Sequence, residues 1–160
     1  MAEAQIRPYA PEDHEWLVNC HQSLYSEAEG FDGTFGRLVD DILAAYEALH
    51  DPDREAGWIA EEASRRLGSI FCVDPGDGYA KLRMFLVIPE ARGTGLAQRL
   101  LRTCMTFAHG AGYLGMRLRT HESHKAAGRL YARNGFALTE AFPTHSFGVD
   151  LVEQCWEIAF

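Results

Sequence analysis

Leu82–Leu101 reads LRMFLVIPEARGTGLAQRLL. An apolar run, Met84–Ile88, stops at Pro89, and a short loop ends at Arg92. Gly93-Thr94-Gly95 then opens a segment with apolar residues at Leu96, Leu100, Leu101, Cys104 and Met105. The pattern is strand, turn, helix, with glycines and a cation at the turn. The first N–H groups of a helix have no partner inside it, and the helix dipole adds partial positive charge there. Glycine lets a phosphate approach that backbone closely. The stretch therefore predicts an α/β fold with a phosphate-bearing ligand seated at this turn.

Three phosphate-binding designs compete for it. A P-loop needs Gly-Lys-Ser/Thr after four intervening residues, and that Lys is missing. A dinucleotide fingerprint needs G-x-G-x-x-G directly after the strand, but the third glycine position is Gln98 and four residues separate Ile88 from Gly93. The third design is Arg/Gln-x-x-Gly-x-Gly/Ala, and Arg92-Gly93-Thr94-Gly95-Leu96-Ala97 satisfies it in full.

Working outward, a chain of 160 residues fits one domain, with 47% hydrophobic and 24% charged residues in the globular range. The formal charge of −8 argues against nucleic acid or an anionic membrane as a broad partner. Local arginines must then serve any anionic ligand. No apolar run approaches the roughly 18 residues of a membrane span, and MAEAQIRPYA lacks the apolar core of a signal peptide. Cys20, Cys72, Cys104 and Cys155 are far apart, without C-x-x-C, and read as reduced thiols of a cytoplasmic protein. No metal-ligating set is expected.

Ile6-Arg7-Pro8 reads as an edge strand. Helical patterns follow from Pro11 and over 35–49, broken at Gly30–Gly33. Trp58-Ile59-Ala60 and Ser69–Val73 read as strands joined across Glu61–Arg66. Asp74-Pro75-Gly76-Asp77-Gly78 is a turn before the Lys81–Ile88 strand. The third helix runs from about Gly95 to His109, with Gly110 as its stop. Leu114, Met116 and Leu118 alternate with Gly115, Arg117 and Arg119, a strand pattern. Ser123 is positioned to cap a fourth helix, His124–Arg133, and Asn134-Gly135 to end it in a left-handed turn. Phe136–Phe142 and Gln154–Phe160 are the final strands. The order βααβββαβαββ predicts one domain over 1–160, with four helices flanking a mixed sheet. Its first half is antiparallel, and the crossover through the third helix makes the central joint parallel. Ligands of such sheets sit at the carboxyl ends of strands, here Val87/Ile88 and Thr120/His121.

The Arg92–Ala97 turn resembles the pyrophosphate-binding motif of the GNAT superfamily of N-acetyltransferases, which hold acetyl-coenzyme A. Leu130-Tyr131-Ala132-Arg133-Asn134-Gly135-Phe136 resembles that superfamily's second hallmark, L-Y-x-x-x-G-F, and the element order matches its fold. From about Tyr25 onward the chain is also similar to the acetyltransferase half of bacterial MarR-type regulator–GNAT fusions. AKLRMFLVIPEARGTGLAQRLL, HESHKAAGRLYARNGF and HSFGVDLVEQCWEI carry that likeness. No winged-helix half precedes the domain in this sequence, so the DNA-binding role of such fusions is not expected.

The resemblance implies how acetyl-CoA, as co-substrate, is held. The backbone of Phe85, Leu86 and Val87 hydrogen-bonds the pantetheine arm like an added strand. Arg92, Gly93, Thr94, Gly95, Leu96 and Ala97 hold the pyrophosphate. Many members carry Asn seven residues before the tyrosine, at the pantetheine; here that position is His124. Tyr131 falls where the superfamily commonly has its general acid. The implied reaction is acetyl transfer to a primary amine of a small molecule or peptide, by direct attack in a ternary complex, and a homodimer is compatible with it.

The chemistry itself needs a neutral amine, a path for its proton, oxyanion stabilisation and an acid for the thiolate. His121 and Glu122 are the candidates for the base; a plain helix-entry loop is their structural reading. Glu27, Glu29 and Asp32 are candidates to line the acceptor pocket, against a solvated acidic loop. His145 is a candidate to reach the acceptor, against a turn histidine. Two other functions compete with the enzyme. One is a non-catalytic acyl-CoA-binding sensor, which the presence of Tyr131 disfavours. The other is a dinucleotide-binding oxidoreductase fragment, which the missing third glycine disfavours.

Overall fold

Apolar alternation and turn residues together build a sheet with helices on both faces. The computed structural model describes residues 3–160. In chain order the elements are β1 (Gln5–Pro8), α1 (His14–Glu29), α2 (Gly33–Leu49), β2 (Ala56–Glu62), β3 (Arg65–Val73) and β4 (Ala80–Val87). They continue as α3 (Leu96–Gly110), β5 (Gly115–His121), α4 (Lys125–Arg133), β6 (Ala137–Ser146) and β7 (Val149–Ala159). Short 3₁₀ turns at Pro11–Asp13 and Pro89–Ala91 precede α1 and the loop before α3. The seven strands lie in the order β1-β2-β3-β4-β5-β7-β6, all neighbours antiparallel except β4 and β5. The expected four helices and mixed sheet with a parallel central joint are therefore observed.

Strand alternation divides the core in two. Ala80 and Leu82 of β4 and Met116 and Leu118 of β5 face α3, where Leu96, Leu100, Leu101 and Cys104 form its buried stripe. Burying such a leucine is worth roughly 1.5–3 kcal/mol, so α3 is fixed to the sheet at the point where its N-terminus meets the end of β4. On the opposite face Ile59 and Phe71 pack against Leu17, Val39 and Leu43 of α1 and α2.

Several local expectations are corrected. Leu114 precedes β5 and is 65% exposed, and the buried position beside it belongs to Gly115, where a Cβ would meet the Tyr79 ring and the Ile158 carbonyl. Gly110 does not stop α3; it is the last helical residue, and the left-handed turn comes at Gly112 (φ 89°). Ser123 does not cap α4. The N-cap is His124, with no side-chain cap bond, and the Ser123 carbonyl accepts from the Lys125 amide instead. The β2–β3 turn is tighter than Glu61–Arg66, with Ala63 and Ser64 at positive φ and Glu62 already paired to Arg65. His145 lies in β6, opposite Asp150, whose carboxylate its Nδ1 meets at 2.8 Å. The four cysteines are free thiols.

Candidate active site

The central joint of the sheet opens. β4 and β5 share only two rungs, Ala80↔Met116 and Lys81↔Arg117. β5 then stays with β7 as far as His121↔Glu153, while β4 stays with β3. The cause is a bulge. Arg83 pairs with Phe71 and Leu86 with Ser69, so Met84 and Phe85 together oppose Ile70. Met84 takes the left-handed region (φ 51°), and its carbonyl accepts from Ser69 Oγ at 2.6 Å. A bulge bends and twists its strand, which turns β4 away from β5. The edge of Phe85, Leu86 and Val87 that faces β5 is consequently left without a strand partner.

The opening leads to the glycine turn. Arg92 and Gly93–Gly95 are exposed, and Gly93 (φ 75°) and Gly95 (φ 82°) both adopt the left-handed conformation. A Cβ at either glycine would meet nothing within 4 Å. The space is open, so the glycines are needed for backbone angle and not to relieve crowding inside the chain. Thr94 Oγ1 donates to the Ala91 carbonyl at 2.6 Å and holds the loop. The first helical bond of α3 runs from the Arg99 amide to the Gly95 carbonyl. Among the described residues, the amides of Gly93, Thr94, Gly95, Leu96, Ala97 and Gln98 find no acceptor, and α3 has no side-chain cap. A run of unpartnered amides at a helix N-terminus beside Arg92 suits a diphosphate.

On the other side of the opening, α4 brings Tyr131 to the same place. The residue is buried, with its ring 6.3 Å from Phe85, 5.7 Å from Phe136 and 6.1 Å from Trp156, centroid to centroid. Its hydroxyl makes no hydrogen bond among the described residues. Burial, then the neighbouring Tyr25 and Cys104, push its pKa well above the ordinary tyrosine value. Asn134, at the end of α4, exchanges two hydrogen bonds with Gln98 of α3 (2.9 and 2.8 Å) and donates to the Leu130 carbonyl at 2.8 Å. Gln98 thus ties the tyrosine helix to the glycine turn.

A histidine cluster closes the cleft at the carboxyl end of β5. His124 Nε2 lies 3.2 Å from Glu29 Oε1, and its Nδ1 lies 3.1 Å from Thr120 Oγ1. Both ring nitrogens are therefore engaged within the chain. Burial lowers the His124 pKa; Glu29 opposes this, while His121 and Arg92 add to it. His121 stands 5.4 Å away, ring to ring, and burial lowers its pKa too, against the pull of Glu153 and Glu29. Its Nδ1 is a buried polar atom with no partner. Tyr25, 5.2 Å from the His124 ring, is pushed up to about 12 by burial and by Glu29, with Arg92 acting the other way. Phe31, Phe35 and Phe147 stack around Tyr25 and His121. Glu122, by contrast, is exposed and pairs with Lys125 at 3.6 Å. The carboxylate that meets the histidines is Glu29, and not Glu122.

Residues 53–138 match the family model described as an acetyltransferase (GNAT) domain. An N-acetyltransferase of Schizosaccharomyces pombe is 32% identical over 121 residues, covering 74% of this chain and 73% of that protein. The chain belongs to the GNAT acetyltransferase family. It is also 33% identical over 104 residues to N-acetyltransferase 8F1 of Rattus norvegicus, covering 62% of this chain. That match covers 45% of the rat protein, less than half its length. The GNAT fold extends along nearly the whole chain. A putative acetyltransferase from Salmonella typhimurium, solved with its cofactor acetyl-CoA, superposes with a TM-score of 0.76 at 20% identity, over 99% of this chain and 94% of that one.

Within this GNAT domain, sequence reasoning names the turn, Tyr131 and, among three acidic residues, Glu29 as candidates, but has no signal for the Met84 bulge or the Gln98–Asn134 pairing. The bulge at Met84 leaves no trace in an unbroken apolar run. Glu29 was one of three acidic residues in a loop, and nothing in their spacing separates it from Glu27 or Asp32. Gln98 counted only as a missing glycine, and its pairing with Asn134 is visible only once both helices are placed.

Proposed function

We propose that this chain transfers an acetyl group from acetyl-CoA to a primary amine, with both substrates bound together. The carrying observation is the row of unpartnered amides, Gly93 to Gln98, beside Arg92 at the mouth of the β4–β5 opening. Acetyl-CoA supplies an acetyl thioester whose sulfur departs as a thiolate. Arg92 and the 93–98 amides hold its pyrophosphate, and the free edge of Phe85–Val87 pairs with the pantetheine amides. That edge also offers N–H groups to the carbonyl oxygen as negative charge develops there.

The amine nitrogen attacks the thioester carbon, the C–N bond forms and the C–S bond breaks. His121, neutral at pH 7 because burial lowers its pKa, takes the ammonium proton. Its orphaned Nδ1 fits a group with a polar partner still to bind. His124, held by Glu29 and Thr120, positions this corner of the cleft. Tyr131 donates a hydrogen bond to the departing sulfur. The acidic composition and the absence of any helix long and apolar enough to cross a membrane, among the described residues, support a cytoplasmic setting without a nucleic-acid partner. The paired motifs support a place near the acetyltransferase half of MarR-type fusions.

Free thiol released from acetyl-CoA over a panel of amines tests this reading. Amine-dependent release is expected. Tight acetyl-CoA binding with no release on any amine would favour the non-catalytic acyl-CoA sensor instead.

A further inference from the structure

Arg83 is a half-buried cation without a counter-ion. Among the described residues it makes neither a hydrogen bond nor an ion pair, and burial lowers its pKa with no carboxylate acting against it. Lys81, also half-buried, has no ion pair among the described residues; burial, then Arg83 and Arg119, lower its pKa, against the pull of Glu153 and Cys155. Arg119 reaches Glu153 only at 3.9 Å. Arg117, on the same face, shows what a satisfied cation looks like here. It meets Asp77 at 2.6 Å and Glu157 at 3.1 Å, and its guanidinium lies 4.0 Å over the Tyr79 ring.

The placement of these residues is specific. Lys81 sits on the last rung joining β4 to β5. Arg83 and Arg119 are each two residues further, one on either lip of the opening. All three lie on the face opposite α3, since Ala80, Leu82, Met116 and Leu118 alternate with them and face α3. They ring the apex of the split on the side away from the cofactor turn. Beside them a groove of about 460 Å³ runs between α2 and the sheet, with Lys81 and Arg83 in its wall. Two of the three carboxylates along this groove are turned to other partners. Glu55 accepts from the Asp74 and Asp51 amides, Asp74 pairs with Arg54 at 3.5 Å, and Asp41 is exposed. Removing a cation from water without an anion is costly. In a chain of net charge −8, two half-buried cations without a counter-ion, with the exposed Arg119 beside them, indicate a missing anion.

We propose that Lys81, Arg83 and Arg119 form a subsite for an anionic group, carboxylate or phosphate, on the acetyl acceptor. The acceptor is then an amine with a negative charge at its far end. This rests on the acetyl-transfer reading above and adds that the amine reaches the thioester from the face opposite α3. Arg119 is two strand residues from His121, roughly 7 Å at the rise of a strand. The amine and the anion are therefore separated by several bonds.

The test is calorimetric binding of matched ligands to the CoA-loaded full chain. The ligands are ω-amino acids of two to six carbons, their neutral amides, and aminoalkyl phosphates of the same lengths. The longer anionic ligands bind at least about tenfold tighter than their amides, the scale of a charge-assisted hydrogen bond. The carboxylate and phosphate arms show which anion fits. Arg83→Met erases the preference without changing CoA affinity, and Lys81→Met reduces it. Arg117→Met, which removes a satisfied cation, leaves it intact. Equal binding of anion and amide by the wild type, or an unchanged preference in folded Arg83→Met, overturns the proposal. Because binding is read without turnover, failure of the subsite is distinguishable from failure of acetyl transfer.

Discussion

Replacing Tyr131 by Phe separates packing from chemistry. The ring is 4% exposed and packs against Phe85, Phe136 and Trp156, contacts that a phenyl ring retains. The hydroxyl has no hydrogen-bond partner among the described residues, so its loss orphans no group. Stability changes by less than about 1 kcal/mol, the net worth of one ordinary hydrogen bond. The catalytic effect follows from the raised pKa. Burial, Tyr25 and Cys104 hold the phenol above its usual value near ~10, whereas an ordinary thiol lies near ~8.5. Full proton transfer to the sulfur is therefore uphill by more than about 1.5 units, and the useful interaction is a hydrogen bond to a developing charge. Such a bond is worth about 1.5–3 kcal/mol, so kcat falls roughly 10- to 150-fold. The assay is steady-state thiol release beside a calorimetric titration of acetyl-CoA, whose affinity stays the same. An unchanged kcat returns Tyr131 to packing alone. A loss beyond about 10³-fold contradicts the hydrogen-bond role and requires complete proton transfer.

Arg92→Glu places a carboxylate at the unpartnered amides and weakens acetyl-CoA binding at least about tenfold, read by calorimetry; unchanged affinity removes the turn from the site. Gly68→Ala puts a Cβ 2.5 Å from the Leu86 carbonyl. It lowers stability by about 1–3 kcal/mol and weakens acetyl-CoA binding together, because Leu86 must shift; thermal melts with and without acetyl-CoA check both. Acid lowers stability in two windows. His21 is buried and held near 4 by burial, against the Leu17 carbonyl, so stability falls as pH drops from about 6.5 toward 4, where only the unfolded chain takes the proton. Burial alone would raise Asp13, but hydrogen bonds from Arg7 (2.9 Å), Arg66 (2.7 Å) and the Ala10 amide (2.9 Å) bring it down to about 2. Its contribution, roughly 2 kcal/mol, is present above about pH 4 and is lost as pH falls through 2. Urea unfolding at pH 7, 4 and 2 reads both steps, and Asp13→Asn abolishes the lower one.

The element order was legible because each element declared its own period. The strands alternate, α2 and α3 carry apolar stripes, and Gly30, the 74–78 turn and Gly135 punctuate them. Element ends were less legible where tertiary contact decided them. Leu114 has the right residue type for a buried position but lies before the strand, and the tight fit under Tyr79 went to Gly115. Of the candidate site, the turn and Tyr131 came from local motifs, since a helix N-terminus and a helix face are local objects. The rest depends on distant residues meeting. Glu29 ends α1 and His124 begins α4, and no local rule joins them. The opening between β4 and β5 depends on one left-handed residue, Met84, whose side chain is ordinary for a strand.

The central claim is that the amides of Gly93 to Gln98 and the free edge of β4 hold acetyl-CoA. Amide chemical shifts of the isotope-labelled full chain, followed by NMR during titration with acetyl-CoA and separately with NAD, test it most directly. The largest shifts fall on Gly93–Gln98 and Phe85–Val87 with acetyl-CoA, and NAD at the same concentration leaves both segments unmoved. Shifts confined to other segments, or equal shifts with NAD, contradict the claim.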